Sequence, residues 1–566
     1  MKKRIFILLL CTSFILTSGC SNVAINSSNV SQEQNKDTEN TDGDTENNDN
    51  NMDADTENND NNMNADTENN DNNMDVDTEN NDNANIETTD NPENTDIEHN
   101  TDNLSTSLYS VTSQHYRDSV LSEDDKQELL MESSYDVLEI QGEGYDALKT
   151  AVAQWQKESQ DSLQTYIKDN TEFAKEHLAQ VEDFYGYSVS QTYQIMRSDT
   201  QILSILEDYY EYTGGAHPSY YKDGINFDAV TGKRLSLEDI TTDFEAFRQQ
   251  ALSYILDYLK NSDIGQEGGF FDNYEDAVAE TFSDTPWYFT AAGITLVYNP
   301  YAIAPYAAGD IHVTLPASEF TSLLKEEYLT CSGIGYASVP KDTLITYTVG
   351  ASDAAHTILI TNETTADENG YEDNIPYITL DDVKTPVAEW SSWLLNCYLI
   401  RQANGRTLLA FENSFMSDDY ETFLYDISNG TLEKVDSAYA AISAAGTNTL
   451  TLSTHLYVLG TYTGYRTYDI SGDSIQPLEE EYYIPSAYSN ITTIRELPVT
   501  DASGANVLLP VGTTLKPIAT DEKSYLKAKD IATDKEYTIY FTKEDYQIII
   551  DGVDEYEYFE MLPYAG

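Results

Sequence analysis

Residues 209–239, YYEYTGGAHPSYYKDGINFDAVTGKRLSLED, decide how the folded part of this chain is read. A β-prone run ends at Tyr212, and residues 213–218 then supply two glycines free to take positive φ and one proline whose φ is fixed. That combination specifies a shaped loop. A second β-prone run, residues 219–227, leads into Asp228-Ala229-Val230-Thr231-Gly232, a turn of the Asp-to-Gly kind. Leu235 and Leu237 read as a further strand, with Glu238 and Asp239 in the turn or helix start after it.

On the N-terminal side, residues 187–196 and 201–210 read as two strands joined by Arg197-Ser198-Asp199-Thr200, a hairpin that runs straight into the Gly-Gly loop. Earlier, a β-like run at 135–140 precedes Leu148, Val152, Trp155, Leu163, Ile167, Phe173 and Leu178, spaced for one helix packed on a sheet. On the C-terminal side, Phe244, Phe247, Ala251, Ile255 and Leu259 mark one face of a second helix, expected to cover the same sheet. Residues 287–309, WYFTAAGITLVYNPYAIAPYAAG, follow.

The Gly-Gly-Ala-His-Pro loop and this second stretch, about seventy residues apart and in this order, resemble the RsiV-type extracytoplasmic domain. That family comprises the lysozyme-binding region of a membrane-bound anti-sigma factor and the non-catalytic N-terminal region of the peptidoglycan deacetylase PdaC. The resemblance covers residues 133–329. It implies an α+β module, an antiparallel sheet covered by helices, and a binding role in the envelope with lysozyme as the implied ligand. Neither a sigma-binding segment before the module nor a deacetylase domain after it is expected, so the binding part is what the resemblance would carry over.

Beyond residue 331 the sequence becomes β-rich. Two blade-like runs, TFLYDISNG at 422–430 and RTYDISGD at 466–473, each end a strand in a polar turn, as in a sandwich or partial propeller. The last segment, with LPVGTTL at 509–515 and QIIIDG at 547–552, looks like a small SH3-type barrel. The expected organisation is therefore 109–204 and 205–330 as the halves of the α+β module, then 331–490 and 491–566 as all-β modules.

The N-terminus has Lys2-Lys3-Arg4, an apolar run over 5–16 and Thr17-Ser18-Gly19-Cys20. This reads as a signal peptide over 1–19 and resembles a bacterial lipobox, with Thr17 where the pattern prefers Leu; the resemblance implies lipidation of Cys20 and a membrane anchor outside the cytoplasm. Residues 20–108 are Asn/Asp/Glu/Thr-rich and contain an eleven-residue repeat beginning at Asp44, Asp55, Asp66 and Asp77, a composition that predicts a disordered, self-repelling acidic tether. With 30 basic against 99 acidic residues and a net charge of −69, nucleic acid is excluded as a partner and a basic protein is favoured. Peptidoglycan, bound through the SH3-like end, is the alternative partner. Cys331 and Cys397 are left for the folded region, either paired or as two buried thiols.

No catalytic, cofactor or metal motif emerges. His217 lacks a partner in a recognisable arrangement and reads as a loop histidine bonded to backbone; His312 reads as structural; Glu238 and Asp239 carry little weight as glycosidase acids amid so many carboxylates. The aromatic loops are the functional candidates, because tyrosine supplies stiff contact area with a polar tip. The candidate ligand-binding residues are Gly214, Gly215, His217, Pro218 and Tyr220 in the first loop and Asn299, Pro300, Tyr301, Pro305 and Tyr306 in the second. The expectation is a non-catalytic binding edge where the two loops meet.

Overall fold

In the computed structural model, β1 (Ser110–Leu121) pairs antiparallel with β2 (Leu129–Gln141), and α1 (Asp146–Leu178) follows. Residues 108–123, 128–181, 184–329, 333–349, 354–366, 372–388, 391–415, 419–485, 490–544, 547–559 and 561–564 are described. The expected leader, Cys20, the acidic repeats and Cys331 lie outside them.

The centre of the first region is β3 (Tyr187–Asp199). Its edge toward β4 (Ile202–Tyr212) is paired antiparallel along nearly its whole length, and β4 pairs in turn with β5 (Ser219–Asp228). Arg197, expected in the hairpin turn, is instead a buried strand residue bonded to Asp199 at 2.7 Å; Asp199 also accepts from the backbone N–H of Gln201 and Ile202, so the turn is tighter than the sequence indicated. The other edge of β3 is shared: β2 pairs parallel with residues 187–191, and β9, described below, with residues 197–199.

Strand alternation divides β4 between two layers. Leu203 and Ile205 face the core with Leu148 and Val152 of α1, and the α1 side chain of Gln156 bonds both Leu138 N–H and Leu138 C=O of β2. Leu206 points the other way, packing with Met196, Tyr288 and Val297.

After α2 (Phe244–Asn261), α3 (Asp263–Gln266) and α4 (Tyr274–Thr281) comes a separate sheet of β6 (Trp287–Phe289), β7 (Gly293–Tyr298) and β8 (Ile311–Pro316). The expectation that α2 covers the first sheet is corrected here. Phe247, Ala251, Ile255 and Leu259 pack on Phe289, Ile294, Leu296, Val313 and Leu315 of the small sheet, giving the layer order α1, large sheet, small sheet, α2. Leu235 and Leu237 are buried in this core without forming a strand, apart from one bridge between Phe227 and Arg234. Asp239 accepts from Ser236 N–H and pairs with Lys233, a turn-capping role.

A short α5 (Glu326–Leu329) precedes β9 (Gly335–Ser338), which pairs both with β3 and with β14 (Trp393–Arg401), so the sheet continues into the β-rich region. Between them β10 (Ile345–Val349), β11 (Ala354–Ala366), β12 (Glu372–Leu380) and β13 (Val383–Pro386) form a four-stranded sheet. It packs through Ile345, Ile358, Ile360 and Ile378 on Leu399, Leu409, Phe411 and Phe423 of β14, β15 (Thr407–Ser414) and β16 (Tyr420–Asp426). The opposite face of those strands, with Ile400, Leu408, Ala410 and Leu424, meets Ile442, Leu450 and Leu452 from strands β18 (Ala441–Ala445) and β19 (Thr449–Tyr457), which follow β17 (Glu433–Ala438). The blade-like runs thus belong to stacked sheets, with β16 in one and β20 (Thr461–Asp469) in another. Cys397 of β14 is a buried free thiol in this core, its ionisation pushed well up by burial.

Near the C-terminus, Leu497–Asp501, Asn506–Leu509, Thr514–Thr520, Tyr525–Asp530 and Glu536–Tyr540 pair in the order third, fourth, fifth, first, second. Their core includes Leu456, Val458, Tyr462 and Ile484 from the preceding segment. Few helices, a mixed α/β region over roughly 110–320 and strands thereafter match the expected α+β and all-β order.

Candidate functional site

The two tyrosine-bearing loops meet at the tip of the β4–β5 hairpin. Gly214 and Gly215 take φ of 94° and 107°, values that the absence of a Cβ permits, and Tyr212 O–H closes the loop on Gly215 C=O at 3.1 Å. The second loop starts with an Asn299–Ala302 turn, in which Ala302 N–H donates to Asn299 C=O at 3.0 Å with Pro300 at the second position. Pro305 then opens a single helical turn over Tyr306–Ala308.

Asn299 joins the loops through the backbone. Its side-chain oxygen accepts from Lys222 N–H at 2.7 Å and its amide donates to Lys222 C=O at 2.9 Å, so it extends β5 as a paired strand residue would. Above this clamp the rings assemble. His217 stacks on Tyr306 with centroids 4.0 Å apart, Tyr220 meets Tyr306 at 5.5 Å, and Tyr301 lies 5.9 Å from Tyr306. His217 Nδ1–H donates to Pro218 C=O at 2.8 Å, which leaves Nε2 as the acceptor for a long 3.4 Å contact from Tyr301 O–H. The structure therefore places His217, Pro218, Tyr220, Asn299, Tyr301 and Tyr306 together, with Gly214 and Gly215 at the hairpin tip and Pro300 and Pro305 shaping the second loop. Cys20 lies outside the described residues.

Tyr301 is the residue folding explains least. It is 57% exposed and holds φ at 69°, a left-handed conformation that a bulky side chain occupies at a cost. Replacement by glycine should leave stability undiminished, since relief of that conformation offsets glycine's extra unfolded-state freedom. Valine, whose branched Cβ is worse at positive φ, should lose about 1 kcal/mol. Denaturant midpoints of the two variants check this ordering, and a valine variant as stable as the glycine one would refute the strain argument.

A polar floor lies beneath the rings, and sequence reasoning missed most of it. Lys222 Nζ pairs with Asp208 at 2.6 Å, Asp310 bonds His312 Nε2, and Tyr288 O–H reaches His312 Nδ1 at 3.0 Å. Burial by itself would raise the Asp310 carboxyl, but the His312 hydrogen bond and the Lys222 charge prevail and hold it at about 2. Tyr220 is pushed up to about 12 by burial and by that same carboxylate. The only sequence signals were alternation, which puts Asp208 and Lys222 opposite each other on one face, and the Asp-x-His spacing at 310–312. His312 is structural as expected in sitting on a strand, yet it also fixes the charge below the aromatic edge. The His217 ring has no carboxylate partner among the described residues, and no three His, Cys, Asp or Glu side chains among them converge as a metal site. The arrangement offers contact area over a fixed charge, chemistry suited to binding.

This geometry sits at the meeting point of two family matches. Residues 123–220 match the family model described as Deacetylase PdaC, and residues 238–318 match the one described as Protein of unknown function (DUF3298). The first contributes the Gly-Gly loop and the second the Asn299–Tyr306 loop, so the site exists only where both are folded together. The matches make this a PdaC-related region.

One relative is Peptidoglycan-N-acetylmuramic acid deacetylase PdaC of Bacillus subtilis (strain 168), 25% identical over 179 residues, 31% of this chain and 34% of that protein. The match thus spans about a third of that relative's length. Among solved structures, a DUF3298-family member from Bacteroides fragilis NCTC 9343 is 21% identical, covering 39% of this chain and 96% of that one with a TM-score of 0.32. A DUF3298 family protein from Pseudomonas aeruginosa PAO1 is 19% identical, covering 40% and 97%, with a TM-score of 0.29.

Proposed function

We propose that this is an extracytoplasmic cell-envelope protein, anchored by lipid at Cys20 and lifted from the membrane by its acidic repeats, whose RsiV-like two-loop edge captures a basic protein of the lysozyme kind without catalysing a reaction. The observation that carries this reading is the meeting of His217, Tyr301 and Tyr306, with an exposed tyrosine at the positive-φ position of the Asn299–Ala302 turn, where glycine or asparagine would sit with less strain. PdaC relatedness supports the envelope setting. A net charge of −69 supports a basic partner by speeding encounter, and the rings supply what charge lacks, a contact of defined shape.

Salt separates the two contributions. The full chain should retain hen lysozyme at both low and high ionic strength, because tail attraction is screened within about 10 Å at 0.1 M salt whereas a shaped contact is not. Replacing Tyr301 and His217 together by alanine should weaken capture at high salt at least tenfold while circular dichroism stays unchanged. Equal capture by wild type and variant, or capture that vanishes with salt in the wild type, refutes the proposal. Sedimentation with purified cell wall in the absence of lysozyme capture would replace this reading with wall binding.

A further inference from the structure

On the other side of the Gly-Gly loop an open groove of about 410 Å³ runs along the C-terminal end of α1, lined by Asn170, Phe173, Glu176, His177, Gln180, Tyr187 and Thr213. We propose that this groove binds a neutral oligosaccharide, with the Phe173 ring as its stacking platform. Phe173 is 60% exposed on a helix that buries Leu163, Thr171 and Ala174 instead, so core packing gives no account of it. Around it the floor is tied together by side-chain contacts. His177 Nδ1 lies 3.1 Å from Tyr187 O–H, and Phe184 meets the His177 ring edge-on at 5.5 Å. The Gly-Gly loop borders one end, with Thr213 in the lining and a Cβ position on Gly214 in contact range of the His177 ring at 3.6 Å.

The lining selects the ligand class. No Lys or Arg borders the groove, which disfavours anions, and six of its seven residues are polar, which disfavours a purely apolar occupant. The Glu176 and Gln180 side chains make no hydrogen bond or ion pair among the described residues, so both are available to hydroxyl or acetamido groups. A pyranose offers an apolar C–H face to an aromatic ring and a hydroxyl rim to amides and carboxylates, the pairing this groove supplies. The site is distinct from the His217–Tyr301 edge and does not depend on it.

Titration calorimetry on the full chain, with lysozyme absent, tests the proposal using the tetrasaccharides of β-1,4-linked N-acetylglucosamine and of β-1,4-linked glucose. At least one should bind. Phe173→Ala should weaken it at least tenfold, Phe173→Trp should restore it, and Tyr301→Ala should leave it unchanged. Because Phe173 is exposed, the alanine variant keeps the fold, which its circular dichroism will show. Binding of neither sugar at millimolar concentration, or equal binding by wild type and Phe173→Ala, overturns the inference. Binding of a basic peptide in place of both sugars overturns it as well.

Discussion

Gly224→Ala is expected to lower stability by about 3–5 kcal/mol, a large loss for so small a substitution at a partly exposed strand position. The reason is backbone against backbone. A Cβ at Gly224 would lie 1.7 Å from the carbonyl oxygen of Trp287 and 2.4 Å from its carbon, distances that no rotamer change relieves. Nor can β6 retreat freely. Asn226 donates to that same Trp287 oxygen at 2.8 Å, and Phe289 N–H donates to Ser204 Oγ at 2.9 Å, while Ser204 O–H donates to Asn226 at 2.7 Å. Moving β6 outward breaks this buried set, and each unsatisfied group costs about 1–3 kcal/mol. Gly215→Ala is the contrasting control: nothing lies within 4 Å of its Cβ position, so only the φ of 107° opposes it and the loss should be about 1 kcal/mol. Urea midpoints on both variants measure the contrast. A Gly224→Ala protein as stable as Gly215→Ala would mean that β6 is not held against β5. Because β6 leads into β7 and the Asn299–Tyr306 loop, the same variant should also lose ligand capture.

The contrast between these glycines parallels what could be read from the chain. Gly214, Gly215 and the Asp228–Gly232 turn were legible because their conformations are set locally: Asp228 accepts from Val230 and Thr231 N–H, and Gly232 takes φ of 70°. Gly224, in mid-strand, has its reason some sixty residues away at Trp287. The same division holds for the helices. Periodicity located α1 and α2 and, Phe173 apart, their packed faces, but a period says that a face is covered and not by what, so α2 was assigned to the wrong sheet. The shared edge of β3, parallel to β2 and antiparallel to β9, was likewise invisible, since register with distant strands leaves no local trace. Phe173 was not separable by period: at 3.6 residues per turn it falls at about the same angle as Trp155 and within about 20° of Leu148, both of which pack against the core, yet at the C-terminal end of α1 it stands 60% exposed. At the two-loop site, composition singled out the rings, whereas Asp310 and Lys222 were lost among 99 acidic and 30 basic residues.

Glu412→Gln should stabilise the protein at pH 8 by about 2–4 kcal/mol and change it little at pH 5. Glu412 of β15 is buried where β14, β15 and β18 meet, and burial raises its carboxyl to about 7 against the hydrogen bonds from Ile442 N–H at 2.6 Å and Asn396 Nδ2 at 3.3 Å. Asn396 is itself fixed by Gln194 of β3, so this carboxyl closes a polar chain linking the first region's sheet to the β-rich layers. In the unfolded chain a glutamate titrates near about 4.3, so between that pH and about 7 the folded state holds a proton that the unfolded state has released. The stabilisation is therefore complete below the unfolded value, declines as pH rises toward about 7, and is absent above it, where a buried carboxylate must be tolerated. Glutamine keeps an oxygen to accept from Ile442 N–H and, like the protonated acid, carries a donor on its other arm, so the neutral geometry persists at every pH. Carboxyls held low, among them Asp310 and Asp426, tilt the whole-protein curve the opposite way, since they lose stabilisation as pH falls. For that reason the informative quantity is the difference between wild type and variant. Urea midpoints of both proteins from pH 4 to 9 should converge at the acid end and separate progressively to about pH 7, then run parallel; curves that stay parallel throughout would show that Glu412 is ionised in the folded protein across the whole range.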